Sequence, residues 1–173
     1  MSIINNISNF ILSKKESPKI TKQFLNWNQL SNVLLIANEH QLSNCIDFIN
    51  VCKKDNIHVT VAIIFEGKKE MAPKPDFNHL ILDKKQFTFF GIPKDEVILH
   101  LSSKTVDGLI CLGDDKESKA MALCKLIPAK CKIGSFENPV FDITINADKS
   151  VNSSEFLKQV IVYLNMIKPT TKL

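Results

Sequence analysis

The amino-acid sequence predicts an α/β fold: a three-layer α/β/α sandwich on a mostly parallel, Rossmann-like sheet of about six strands, with an extra N-terminal helix. Three observations carry this. The stretch VDGLICLGDDKESKAMALCKLIPAKCKIG, residues 106–134, reads as strand, tight acidic turn, helix and strand. A helix filling the gap between two strands makes a crossover, and crossovers join parallel strands. Second, the strand candidates NVLLIA (Asn32 to Ala37) and VTVAIIF (Val59 to Phe65) are near-continuous apolar runs, as strands covered on both faces are. Third, strand and helix patterns alternate along most of the chain.

Residues 1–30 read as an N-terminal amphipathic helix and linker, 31–168 as a single α/β domain, and 169–173 as a polar tail. Ile3, Ile4, Ile7, Phe10 and Ile11 fall at helical spacing and make one stripe, suited to packing on the domain or on a second copy of it. Lys14 to Pro18 reads as linker, and Phe24, Leu25, Trp27 and Leu30 lead into the first strand. The first strand runs into Asn38, Glu39, His40 and Gln41 with no glycine. Leu42 to Lys54 is then a helix with Ile46 and Ile49 inward and Cys45 and Cys52, seven apart on one face, as further inward candidates. Asp55 and Asn56 close it, and the second strand follows, ending in Glu66 and Gly67.

Lys68 to Asp76 is a polar loop with two prolines, and His79 to Leu82 a third strand ending in Asp83. Pro93 precedes a helix over Lys94 to Lys104, with Asp95 and Glu96 in its first turn, where the helix dipole favours carboxylates. The central crossover places strands at Val106 to Leu112 and Ala129 to Ile133, with a helix from Lys116 to Ile127. Phe141 to Asn146 is the last strand. Ser153 and Ser154 offer N-caps for a helix from Glu155 to Lys168, with an inward stripe of Phe156, Val160, Tyr163, Leu164 and Ile167.

Composition narrows the function classes. A chain of 173 residues is long enough for one domain with a full core. No apolar run approaches the roughly 20 residues of a membrane span, and MSIINNISNFILSKKE lacks the basic start and cleavage site of a secretory signal. The expectation is a cytoplasmic protein. All 22 basic residues are lysine, and the net charge is +4. Without arginine there is no bidentate grip on guanine, so sequence-specific DNA recognition is not expected. Lysine pairs such as Lys53-Lys54 and Lys84-Lys85 are scattered over loops and helix ends, a solvated surface rather than an RNA-binding face. The cysteines are Cys45, Cys52, Cys111, Cys124 and Cys131; they form no CxxC and sit among apolar neighbours. They read as buried reduced thiols rather than a zinc site.

Ligands of such folds bind outside the carboxyl ends of the strands. The residues expected there are Asn38, Glu39 and His40; Glu66; Asp83; Gly113, Asp114 and Asp115; and Asn146. Asn38, Glu39, His40, Asp114 and Asp115 are the candidate ligand-binding residues. This acidic rim suits a hard cation, and it equally suits helix capping and a solvated edge. No dinucleotide fingerprint, phosphate loop, nucleophile elbow or paired-histidine zinc motif is present, and the sequence names no cofactor. Phe87, Phe89, Phe90 and Ile92 crowd a loop beside Gly91 and Pro93. Four large apolar residues there either tuck under the sheet edge or form a partner-binding patch.

NVLLIA with its following helix, VTVAIIF, FTFFGIP, VDGLICLG, AKCKIG, FDITIN and FLKQVIVYL occur here in an order that resembles a family of small bacterial single-domain proteins carrying only a domain-of-unknown-function label. The resemblance covers about residues 31–168 and implies an α/β domain, with no activity to carry over. VDGLICLG and AKCKIG are also similar to the acceptor-side half of heptosyltransferase-like sugar transferases, which is a likeness of fold alone. The expected role is a non-enzymatic interaction or scaffold module with a protein partner, self or other. The alternative is a small-molecule- or metal-binding enzyme, with Asp114 and Asp115 as ligands or acid–base groups and His40 as proton carrier.

Overall fold

The structure, a computed structural model, describes residues 10–15, 20–67, 74–113, 119–145 and 152–169. Six strands form one sheet: β1 (Asn32–Asn38), β2 (His58–Ile64), β3 (His79–Leu82), β4 (Val106–Cys111), β5 (Ala129–Gly134) and β6 (Ile143–Thr144). Their order is β3-β2-β1-β4-β5-β6, and every pairing is parallel. This is the Rossmann order, so the expected "mostly parallel" sheet is wholly so. The described helices are α1 (Leu42–Lys54), α2 (Asp95–Leu101), α3 (Lys119–Leu126) and α4 (Ser153–Met166).

The period of two along each strand divides the core. Val33, Leu35 and Ala37 of β1 join Val61 and Ile63 of β2 in the cluster beneath α1 and α4. Leu34, Ile36, Ala62 and Ile64 point to the opposite cluster, under α2 and α3. Burial on both faces is why these strands read as unbroken apolar runs. Leu25, Trp27 and Leu30 also belong to the first cluster. The Trp27 indole meets the Phe48 ring edge-on and donates to Asp55 Oδ2 at 2.7 Å.

Helix faces and ends differ from expectation in particular places. α1 buries Cys45, Phe48 and Cys52, while Ile46 is 49% exposed. The inward stripe is therefore centred on Phe48, one step round from the predicted face. α1 ends where Asn56 takes a left-handed φ of 59°, a conformation asparagine tolerates at a helix C-terminus. α2 stops at Leu101 rather than Lys104: Ser102 still donates its N–H and its hydroxyl to the Ile98 carbonyl, but its φ of −102° and ψ of 11° leave the helix. α4 is capped by Asn152, whose side chain accepts the Glu155 N–H at 3.0 Å, and not by Ser153 or Ser154. Its buried stripe takes Leu157 along with Phe156, Val160 and Leu164, leaving Tyr163 half exposed.

β6 is only two residues long. Phe141, predicted to open this strand, instead lays its ring over Gly134, where any Cβ would overlap it. Residues 10–14 are helical; Leu12 is buried against Ile92, Ala122 and Leu126, while Phe10, assigned to the inward stripe, is 59% exposed. The remainder of that stripe, Ile3, Ile4 and Ile7, lies outside the described residues.

Candidate functional site

The chain fills the sheet outward from β1 to β3 and then returns to β4, so the topological switch point lies between β1 and β4. Folds of this kind open a crevice there, at the carboxyl ends of the two strands. In this protein a side chain crosses it. Gln41, 6% exposed, accepts the Asn38 N–H through Oε1 at 2.9 Å. Its Nε2 donates to the Leu112 carbonyl at 2.8 Å and to Ser153 Oγ at 3.3 Å. One carboxamide therefore joins the end of β1, the residue after β4 and the first residue of α4. The sequence does not place Gln41 among the expected rim residues. Its contact with Asn38 is a local capping pair, but the two that make it a bridge are 71 and 112 residues away and leave no mark in the sequence.

The other rim residues are distributed around this bridge. Asn38 ends β1 and is half-buried; Glu39 and His40 occupy an exposed 3₁₀ turn. Glu66 pairs with Lys119 at 2.8 Å, and that hydrogen bond and charge hold its carboxyl below the usual range. Asp83 caps the 3₁₀ turn Lys84–Gln86 by accepting the Lys85 N–H at 2.7 Å. Gly113 is buried. Asp114, Asp115 and Asn146 lie outside the described residues. Among the described residues, no group of three histidine, cysteine or acidic side chains is placed to hold a metal ion.

The Phe87 to Pro93 segment splits its four apolar residues. Phe87 and Ile92 are buried, at 5% and 2% exposure, and Phe90 is half-buried. Phe89 is 84% exposed. A turn closed by the Gly91 N–H on the Thr88 carbonyl, with Gly91 at φ 73°, lifts Phe89 outward, where its ring meets Phe90 edge-on at 5.5 Å.

At the opposite, amino-terminal edge two cavities adjoin. One, of about 620 Å³, lies between α1, the start of β2 and residues 75–78, walled by Ile49, Ile57, Val59 and Phe77 with Lys53 and Asp76 at its sides. The other, of about 300 Å³, is more polar and is lined by His58, His79 and His100 with Thr60 and Lys104. His58 and Asn78 line both. The Asn78 amide donates to Thr60 Oγ1 at 2.7 Å and lies 3.3 Å from the His58 ring, which holds this partition in place. No paired-histidine motif marks these residues in the sequence; the starts of β2 and β3 and the end of α2 bring three of the four histidines to one pocket.

Two buried ionic groups are structural. Asp107 on β4 accepts the Ser31 and Asn32 N–H groups and the Lys130 amine. Burial raises its pKa, but these donors outweigh burial and hold it below the ordinary value. Lys132 of β5 donates to the Cys124 carbonyl in the last turn of α3 at 2.6 Å, and burial lowers its pKa to about 8. All five cysteines are buried, and none forms a disulfide. Burial pushes the Cys45, Cys52 and Cys131 thiols up to about 12 and raises Cys124 well above its ordinary value. Thiols held protonated are poor nucleophiles.

A family model described as "Family of unknown function (DUF6913)" matches residues 3–167. No curated protein and no solved structure matches the chain.

Proposed function

Because the chain belongs to the family of unknown function DUF6913, we propose its role from its own geometry: it is a non-enzymatic α/β interaction or scaffold module of the cytoplasm. The observation that carries this reading is Gln41. It occupies the switch-point crevice with its hydrogen bonds to three elements made, and a ligand entering there must break them and leave the Leu112 carbonyl unpaired. Five reduced, buried thiols suit a reducing compartment. Among the described residues no helix is long and apolar enough to cross a membrane.

The surface for a partner surrounds the small apolar cluster of Leu12, Ile92, Ala122 and Leu126. Ile11, Phe90 and Ile98 pack against that cluster, and their chain neighbours Phe10, Phe89 and Leu99 face outward, at 59%, 84% and 71% exposure. Lys94, Asp95 and Glu96 are exposed on the same stretch, so the surface carries both charge signs. A surface of mixed sign can meet its own image across a two-fold axis, and the partner is a second copy of this chain.

Sedimentation velocity over a concentration series tests this, with wild type against Phe89→Ser combined with Leu99→Ser. Association in the wild type that the double substitution dissolves is expected, together with a melting temperature unmoved by nucleotides, nucleotide sugars or divalent metal ions. A wild type that stays monomeric refutes self-association. A saturable rise in melting temperature with a nucleotide or metal ion refutes the closed crevice. It would return the enzyme reading, with Asn38, Glu39, His40, Asp114 and Asp115 as its site.

A further inference from the structure

The amino-terminal edge of the sheet, opposite the rim where such folds bind ligands, is where the described residues leave room. We propose that the cleft between α1, the start of β2 and residues 75–78 binds an amphipathic organic anion, with its hydrocarbon body on Ile49, Ile57 and Phe77 and its carboxylate toward His58 and Asn78. The cleft's volume, about 620 Å³, lies within the roughly 300–1,000 Å³ of small-molecule sites. Its walls are incompletely covered: Ile46, at its mouth, is 49% exposed, and Ile49 and Phe77 are half-buried. A ligand body here removes that apolar surface from water.

The cleft wall is mixed, with Asn50, Lys53, Asn56 and Asp76 among its apolar residues, and the neighbouring pocket is the more polar of the two. His58 and Asn78 separate the apolar cleft from the smaller pocket, which adds His79, His100, Thr60 and Lys104. Lys53 stands on the wall of the cleft itself. The salt bridges among the described residues use neither Lys53 nor Lys104. Two ammonium groups stand against one carboxylate, Asp76, and the three imidazoles add ring nitrogens able to hydrogen-bond a carboxylate. The balance selects an anion over a cation, and the division into apolar and polar compartments selects an amphiphile over a sugar or an inorganic ion. The apolar cleft lies on the α1 face of the sheet and the polar pocket at the end of α2, whereas Phe89 and Leu99 line neither, so either proposal can fail without the other.

The test uses the full chain with decanoate as probe, against decanol and decyltrimethylammonium as the neutral and cationic counterparts. Titration is followed by calorimetry and by amide chemical shifts. The expected result is one saturable decanoate site, with the largest shift changes at Ile57 to Val59 and at Phe77 and Asn78. Decyltrimethylammonium is expected to bind at least about tenfold more weakly. Ile46→Trp, at a half-exposed position, fills the mouth and abolishes binding; Lys53→Glu, on the exposed wall, weakens decanoate about tenfold and spares decanol. No saturable binding, equal binding of the cationic analogue, or decanoate binding unchanged in Ile46→Trp each overturns the proposal.

Discussion

Replacing Asp107 by alanine is expected to destabilise the fold more than its position in a hidden strand suggests. Its side chain is 6% exposed and holds three donors: Ser31 N–H at 2.8 Å, Asn32 N–H at 2.9 Å and Lys130 Nζ at 2.7 Å. Hydrogen bonds to a charged group are worth about 1.5–3 kcal/mol each, and breaking a buried pair costs about 3–5 kcal/mol. Ser31 is exposed and the Lys130 side chain is 30% exposed, so both regain water in the variant; Asn32 regains less. The net loss is then near the lower bound, about 3 kcal/mol, or a fall in melting temperature of roughly 6–12 °C for a chain of this size. Asp107→Asn keeps an acceptor for the backbone and should lose about half as much. The pH dependence has a definite sign. A carboxylate whose folded pKa lies below 3.8 contributes its stability above that value and loses it as pH falls through the folded pKa. The gap between wild type and Asp107→Ala should therefore be full at pH 7 and narrow in acid. Thermal unfolding followed by circular dichroism across this range is the assay. An alanine variant that melts within about 1 °C of wild type at pH 7, or a gap that persists undiminished in acid, would refute the reasoning.

Lys132→Met tests the buried amine. Folding lowers its pKa from 10.5 to about 8, so between those values the unfolded chain binds more protons and this group makes stability rise with pH. The four buried thiols with raised pKa pull the opposite way, because they ionise in the unfolded chain first. Urea midpoints of the wild type and the variant should thus be compared as a difference, with the wild type gaining on the variant by at most about 3 kcal/mol from pH 8 to 10.5; a flat difference removes the desolvation argument. Gly134→Ala puts a methyl group into the Phe141 ring and should cost about 1–3 kcal/mol. The Ile145 N–H, which donates to the Gly134 carbonyl at 3.0 Å, should exchange faster with solvent; unchanged exchange and stability would show that Phe141 moves aside freely.

Most of the fold was legible because its signals are local. Asn32 to Ala37 and Val59 to Phe65 announce buried parallel strands through their own composition, and the structure places them, within a residue, as central neighbours. Helix ends were less legible: the cap of α4 is Asn152 although two serines follow it, since capping depends on where the chain first turns. Helix faces were less legible where apolar residues lie on both sides, as in α1, where Phe48 is buried and Ile46, two residues earlier and nearly opposite, is exposed. The short β6 failed because Phe141 is spent on covering Gly134, a contact between segments that neither sequence stretch reveals.

The chain's own pattern determined the layer architecture, the approximate bounds of its strands, the burial of its thiols and the absence of known nucleotide motifs. Each follows from residues adjacent in sequence or one period apart. Only the tertiary structure decided what occupies the two ends of the sheet. Gln41 ties the end of β1 at the carboxyl edge to Leu112 after β4 and to Ser153 of α4. His58, His79 and His100 line one pocket at the amino edge because β2 and β3 both start there, with His79 opposite Val61, and α2 ends beside them. A hydrogen bond or a cavity wall is set by distance in space, and parallel strands joined by crossovers bring together residues whose separation in sequence carries no trace of it.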